Sequence, residues 1–159
     1  MSKRSNLSEE AWSQYISDHD FDIFVTTKYV KPVRTDPRID ANLFSIRTHE
    51  KYLAFVSSKC FGKKALTDSS RGLAYINFFE DMSKYGNPTV FHAHTLINSR
   101  KNIDRVSYYL GTEWKKVRPF LRSTPPVIEI IDTIPSLGRY VAKHSNNEYE
   151  ILANLPLPN

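Results

Sequence analysis

His92 and His94 are separated by a single residue within Thr89-Val90-Phe91-His92-Ala93-His94-Thr95-Leu96-Ile97. The stretch is rich in β-branched and aromatic residues, with turn signals at Asn87-Pro88 and Asn98-Ser99, and it reads as one strand. Side chains alternate faces along a strand, so the two imidazoles point the same way. Phe91, Ala93, Thr95 and Ile97 then point to the other face, toward a core. Two imidazoles side by side on a sheet face make half of a divalent-metal site. An acid is close in the chain: Glu80 ends the preceding apolar stretch, and an antiparallel pairing of the two brings it near His92. Farther on, Tyr140, Lys143 and His144 are spaced i, i+3 and i+4, which puts them on one helical face. Two histidines and a carboxylate leave coordination positions open on a divalent ion. Such an ion polarises a phosphoryl oxygen, a tyrosine hydroxyl attacks phosphorus, and a lysine one turn away lowers the hydroxyl pKa or steadies the phosphate charge. The candidate chemistry is phosphoryl transfer through a tyrosine nucleophile.

These residues need elements to hold them. Asn6-Leu7-Ser8-Glu9 is a capping box, and Leu7, Ala11, Trp12, Tyr15 and Ile16 share a helical face, so a first helix is expected to end near Asp18-His19-Asp20, with His19 as a solvated capping residue. Phe21 to Tyr29 is the first strand, ended by Lys31-Pro32. Asp36-Pro37 opens the main helix; Ile39, Leu43, Ile46, Leu53, Val56 and Cys60 form its apolar stripe and Gly62 stops it. His49 is read as lying off that stripe, on the surface. Leu73 to Glu80 is a second strand, joined by a hairpin connection to the histidine strand. A helix from Asn98 or Ser99 to about Val117 follows, with Ile103, Val106, Tyr109 or Leu110, Trp114 and Val117 on its apolar side. Val127 to Asp132 is a fourth strand, Ser136 to about His144 a short helix, and Tyr149 to Leu152 an edge strand. Helices alternating with hairpin-type strands predict an α+β, ferredoxin-like sandwich: a central antiparallel sheet of four to five strands with helices packed on one face.

The 159 residues fit one domain, and 40% hydrophobic with 13% aromatic content describes a folded chain. Cys60 is the sole cysteine, which leaves no disulfide framework and no cysteine-based zinc site, and its place on the apolar stripe of the main helix assigns it to the core rather than to catalysis. There is no apolar run of membrane-spanning length and no signal-peptide pattern behind Met1-Ser2-Lys3-Arg4, so a cytoplasmic protein with no membrane partner is expected. The net charge of +5 favours a polyanionic partner, nucleic acid first.

Taken together, the motifs resemble the HUH endonuclease superfamily, in particular the rolling-circle replication initiators. Phe24-Val25-Thr26-Thr27 resembles their first motif, an apolar strand ending in threonines. Phe91-His92-Ala93-His94 resembles the second, the metal-binding strand, with Glu80 as the acid that accompanies it. Gly138-Arg139-Tyr140-Val141-Ala142-Lys143-His144 resembles the third, Tyr-x-x-Lys on a helix. Ala93 is smaller than the residue usual between the histidines, and a single tyrosine occupies the third motif.

The resemblance implies a nicking domain over residues 21–144, preceded by a helix in 1–20 and followed by a tail or edge strand in 145–159. It implies that the protein nicks and joins single-stranded or hairpin origin DNA through a 5′-phosphotyrosine intermediate, initiating rolling-circle replication of a phage, plasmid or viral genome. His92, His94 and Glu80 would hold Mn²⁺ or Mg²⁺, Tyr140 would be the nucleophile and Lys143 its helper. His144 would be an alternative ligand or a phosphate contact. Lys28, Lys31, Arg34, Arg105, Lys115, Lys116, Arg118 and Arg122 would track the DNA backbone, and Tyr29 would stack on bases. With no Gly-rich phosphate loop in the chain, unwinding and synthesis would fall to a host helicase and polymerase. Two alternatives share these residues: a single-tyrosine transposase of the same superfamily, and a non-catalytic ferredoxin-like nucleic-acid-binding protein, which would need no metal and form no covalent adduct.

Overall fold

In the stretch from Phe21 to Val30 every second residue is apolar or a small hydroxyl, and this alternation folds as a strand that buries one face. The computed structural model describes residues 9–30, 41–81, 90–117, 124–132 and 151–154. Over these, the chain runs α1 (Glu9–Asp18), β1 (Ile23–Val30), α2 (Ala41–Phe61), β2 (Ala74–Asp81), β3 (Val90–Asn98), α3 (Ile103–Glu113), β4 (Val127–Ile130) and β5 (Ile151–Asn154), with short 3-10 turns at Lys63–Leu66, Ser69–Arg71 and Trp114–Lys116. The sheet order is β4-β1-β3-β2-β5, and every neighbouring pair is antiparallel. β1 and β2 flank β3 and are linked through α2; β3 and β4 flank β1 and are linked through α3. That is the double crossover of the expected ferredoxin-like α+β fold, with β5 added at one edge.

β3 pairs along its whole length with β1 on one side and β2 on the other. Its odd-numbered residues face α2 and α3, as alternation predicts. Ile23, Val25 and Tyr29 of β1, Phe79 of β2 and Phe91, Ala93 and Ile97 of β3 form the core with Ile46, Tyr52, Leu53 and Val56 of α2 and Val106 and Leu110 of α3. Truncating one such buried leucine or isoleucine to alanine costs about 2–5 kcal/mol. Cys60 lies in this core, 8% exposed, and burial pushes its thiol up to about 11, so it is a packing residue. The opposite face carries Phe24, Ile76, Phe78 and Leu96, all buried as well.

Several boundaries differ from the sequence expectation. The capping box at residues 6–9 and the Asp36-Pro37 helix start fall wholly or partly outside the described residues, as does the 136–144 helix. Leu43 is 42% exposed, so the buried stripe of α2 begins at Ile46. α3 starts at Ile103, later than expected, because Ser99 is spent elsewhere. Its backbone N–H and hydroxyl both donate to the Asp22 carboxylate, and the turn then passes through positive φ at Arg100 (53°) and Lys101 (65°). His19 is not a solvated cap: it is half-buried, its ring packs against those of Tyr15 and Phe21, and its Nδ1 bonds the Tyr15 carbonyl.

Candidate metal centre

The register of three strands assembles the site. Pairing of β2 with β3 sets Glu80 opposite His92, as expected, and Phe78 opposite His94. Pairing of β1 with β3 sets Lys28 opposite His92 and Thr26 opposite His94. All six are even-numbered and share the face away from α2 and α3. Glu80, His92 and His94 each offer one ligand atom, and the three atoms lie within 4.8 Å of one another. The Nε2 of His94 is 3.6 Å from Oε2 of Glu80, with their side chains only 9% and 14% exposed. The two imidazole centroids are 6.1 Å apart.

The surroundings favour the ligating form of His92. Burial lowers the His92 pKa, and the nearby Lys28 cation lowers it further, against an opposing pull from Glu80. A neutral imidazole with a lone pair is the state a metal needs. The His94 ring stacks on Phe24, centroids 5.8 Å apart and planes 2° from parallel, and its Nδ1 lies 3.2 Å from the Thr26 hydroxyl. One carboxylate and two imidazoles suit Mn²⁺ and comparable divalent ions, and they leave coordination positions open. The donor set therefore fits the expected ion.

The remaining expected residues divide into three groups. Lys28 is exposed on the rim of the centre, and Arg105, Lys115 and Lys116 are exposed on α3 and the turn after it. Lys116 is engaged by the Glu113 carboxylate at 2.9 Å, and Arg105 donates to the Lys59 carbonyl at 3.2 Å. Tyr140, Lys143, His144, Lys31, Arg34, Arg118 and Arg122 lie outside the described residues.

Tyr29 is a correction. It is 0% exposed and its hydroxyl bonds His49, so it is not a stacking platform for bases. Its position follows from alternation: Ile23, Val25, Thr27 and Tyr29 share the inward face of β1. Burial raises its hydroxyl pKa above the ordinary tyrosine range.

His49 is the second correction, and sequence reasoning missed it. It is 0% exposed, at the centre of a buried polar cluster on the sheet face opposite Glu80, His92 and His94. Thr95 donates to Oδ1 of Asn77 at 2.7 Å, so its oxygen accepts from His49 Nε2–H at 2.8 Å. Oδ1 of Asn77 lies 3.1 Å from the same nitrogen. On the other side of the ring, Nδ1 accepts from the Tyr29 hydroxyl, with the Thr27 hydroxyl at 3.2 Å. Burial pushes the His49 pKa down to about 3, so the ring is neutral. The amide nitrogen of Asn77 has no partner among the described residues, a cost of about 1–3 kcal/mol. The signal was present: His49 is three residues after Ile46 and four before Leu53, on the buried stripe itself, and the reading that set it off the stripe was wrong.

Comparison with protein-family models, with curated proteins and with solved structures finds no match for this chain. Among the described residues no helix is long and apolar enough to cross a membrane.

Proposed function

We propose that the chain is a single-tyrosine, HUH-type nicking and joining enzyme acting on single-stranded or hairpin origin DNA in the cytoplasm of a host cell. The observation that carries this reading is the convergence of Glu80, His92 and His94 on one face of the central strands of a ferredoxin-like sheet. The reading also rests on the third motif, Tyr140 to His144.

In this proposal the Tyr140 oxygen forms a bond to the phosphorus of the scissile phosphodiester. The bond from phosphorus to the 3′-oxygen breaks, and that oxygen leaves as a 3′-hydroxyl after taking up a proton. One phosphodiester is exchanged for another, so joining is the same step reversed and needs no energy source. Glu80, His92 and His94 would hold Mn²⁺ or Mg²⁺, which supplies charge stabilisation at the phosphoryl oxygens. Lys143 steadies the phosphate charge or the tyrosine oxyanion. Lys28 offers a cation on the rim of the centre, where a backbone phosphate can rest. The burial of His94 and the half-buried setting of His92 strengthen each of these interactions relative to open water. A host helicase and polymerase would extend the released 3′ end.

The test is a cleavage assay on labelled single-stranded DNA from the cognate replicon, with Mn²⁺ or EDTA, resolved on a denaturing protein gel. A metal-dependent covalent adduct in wild type, lost in Tyr140→Phe, is expected. Metal-independent DNA binding without any adduct would replace this reading with the non-catalytic binding protein.

A further inference from the structure

Thr26 is the register partner of His94 across the β1–β3 ladder, and its Oγ1 lies 3.2 Å from Nδ1 of that ring. The ring has little freedom. Phe24 stacks flat on it, and its other nitrogen faces the Glu80 carboxylate at 3.6 Å. A neutral imidazole carries one proton, and the two nitrogens compete for it. If the proton sits on Nε2, that nitrogen has no lone pair for a metal and instead donates to Glu80, which closes the centre on itself. If it sits on Nδ1, Nε2 is free to ligate. A threonine hydroxyl can donate or accept; once a metal takes Nε2 the proton is on Nδ1, and the hydroxyl beside it accepts, which stabilises the second state.

We infer that Thr26 is a positioning residue of the metal centre: its hydroxyl accepts the hydrogen bond from Nδ1–H of His94 and so supports Nε2 as the ligating atom beside Glu80. The assignment rests on the reading of Glu80, His92 and His94 as a metal centre. It also separates the two threonines of the first motif. Thr26 serves the centre, while Thr27, one residue on and on the opposite face, donates to the Ala93 carbonyl at 3.4 Å and meets His49 in the core.

Mn²⁺ binding to the full chain at neutral pH, followed by loss of the free-ion electron paramagnetic resonance signal, tests the assignment without reference to activity. Thr26→Val keeps the β-branch and volume but cannot accept a hydrogen bond. It is expected to bind Mn²⁺ roughly 10–100-fold more weakly than wild type. Thr26→Ser restores the acceptor and is expected to bind within about threefold of wild type, a rescue that a purely structural role for the methyl group would not produce. Thr26→Ala serves in place of the valine variant if that variant does not fold. Wild-type affinity in Thr26→Val, or a serine variant as weak as the valine one, overturns the assignment and leaves the metal centre standing. A wild-type protein that takes up no Mn²⁺ overturns the metal centre and this assignment together.

Discussion

Glu80 and His94 meet diagonally across the β2–β3 ladder: Glu80 is paired in register with His92, yet its Oε2 lies 3.6 Å from Nε2 of His94. One carboxylate thus reaches both imidazoles. Removing its charge with Glu80→Gln keeps the shape and should cost metal affinity while leaving the metal-free protein folded. A wild-type protein at 100 times the Mn²⁺ dissociation constant gains about 2.7 kcal/mol of stability. Thermal melts with Mn²⁺ and with EDTA read this directly. The metal-dependent rise in Tm should be present in wild type and reduced or absent in Glu80→Gln and His92→Ala.

Lys28 stands opposite His92 and is exposed on the rim of the centre. If it contacts one phosphate, Lys28→Ala weakens binding to single-stranded DNA at low salt and reduces the slope of log affinity against log salt by about 0.7. Fluorescence anisotropy over a salt series measures that slope. An unchanged slope would remove Lys28 from the DNA path.

Tyr29 is the contrasting case in the adjacent position. Tyr29→Phe deletes a buried hydroxyl that donates to His49, and should lower stability by about 1–2 kcal/mol in urea unfolding. Because the ring is buried beneath the sheet, DNA affinity and its salt slope should not change. A Tyr29→Phe variant with normal stability and impaired DNA binding would contradict the buried placement.

His49 sets a pH dependence. Burial holds its folded-state pKa at about 3, well below the unfolded value of roughly 6.5. Between those values the unfolded chain binds a proton that the folded one does not. Stability is therefore full above about pH 6.5 and falls as the pH drops toward 3, by up to about 1.4 kcal/mol per pH unit from this group. Urea midpoints measured from pH 7 to pH 4 should fall more steeply for wild type than for His49→Gln, which carries no titrating ring. Parallel curves would show that the ring is protonated in the fold.

Much of the molecule was legible from side-chain period alone. Alternation in Phe91 to Ile97 separated the histidine face from the core face, and the observed core contains Phe91, Ala93 and Ile97. Apolar residues at helical spacing placed Val106 and Val117 inside, and they are buried; of the two candidates Tyr109 and Leu110, the structure buries Leu110 fully. The hairpin relation of β2 and β3 implied that Glu80 lies near His92, and the two are register partners. Each of these depends on local geometry, which neighbouring residues determine.

What only the tertiary structure decided concerns partners from distant segments. Period told that Thr26 and Thr27 face opposite ways, but not that one meets His94 and the other His49, contacts spanning 68 and 22 residues of chain. Those depend on the β1–β3 register and on how α2 lies across the sheet. His49 shows the reason most plainly. A histidine is expelled to solvent or kept in a core according to whether its nitrogens find partners, and Tyr29, Thr27, Asn77 and Thr95 come from three different strands. The stripe from Ile46 to Val56 offered the position; only the folded sheet supplied the hydrogen bonds that let a polar ring occupy it.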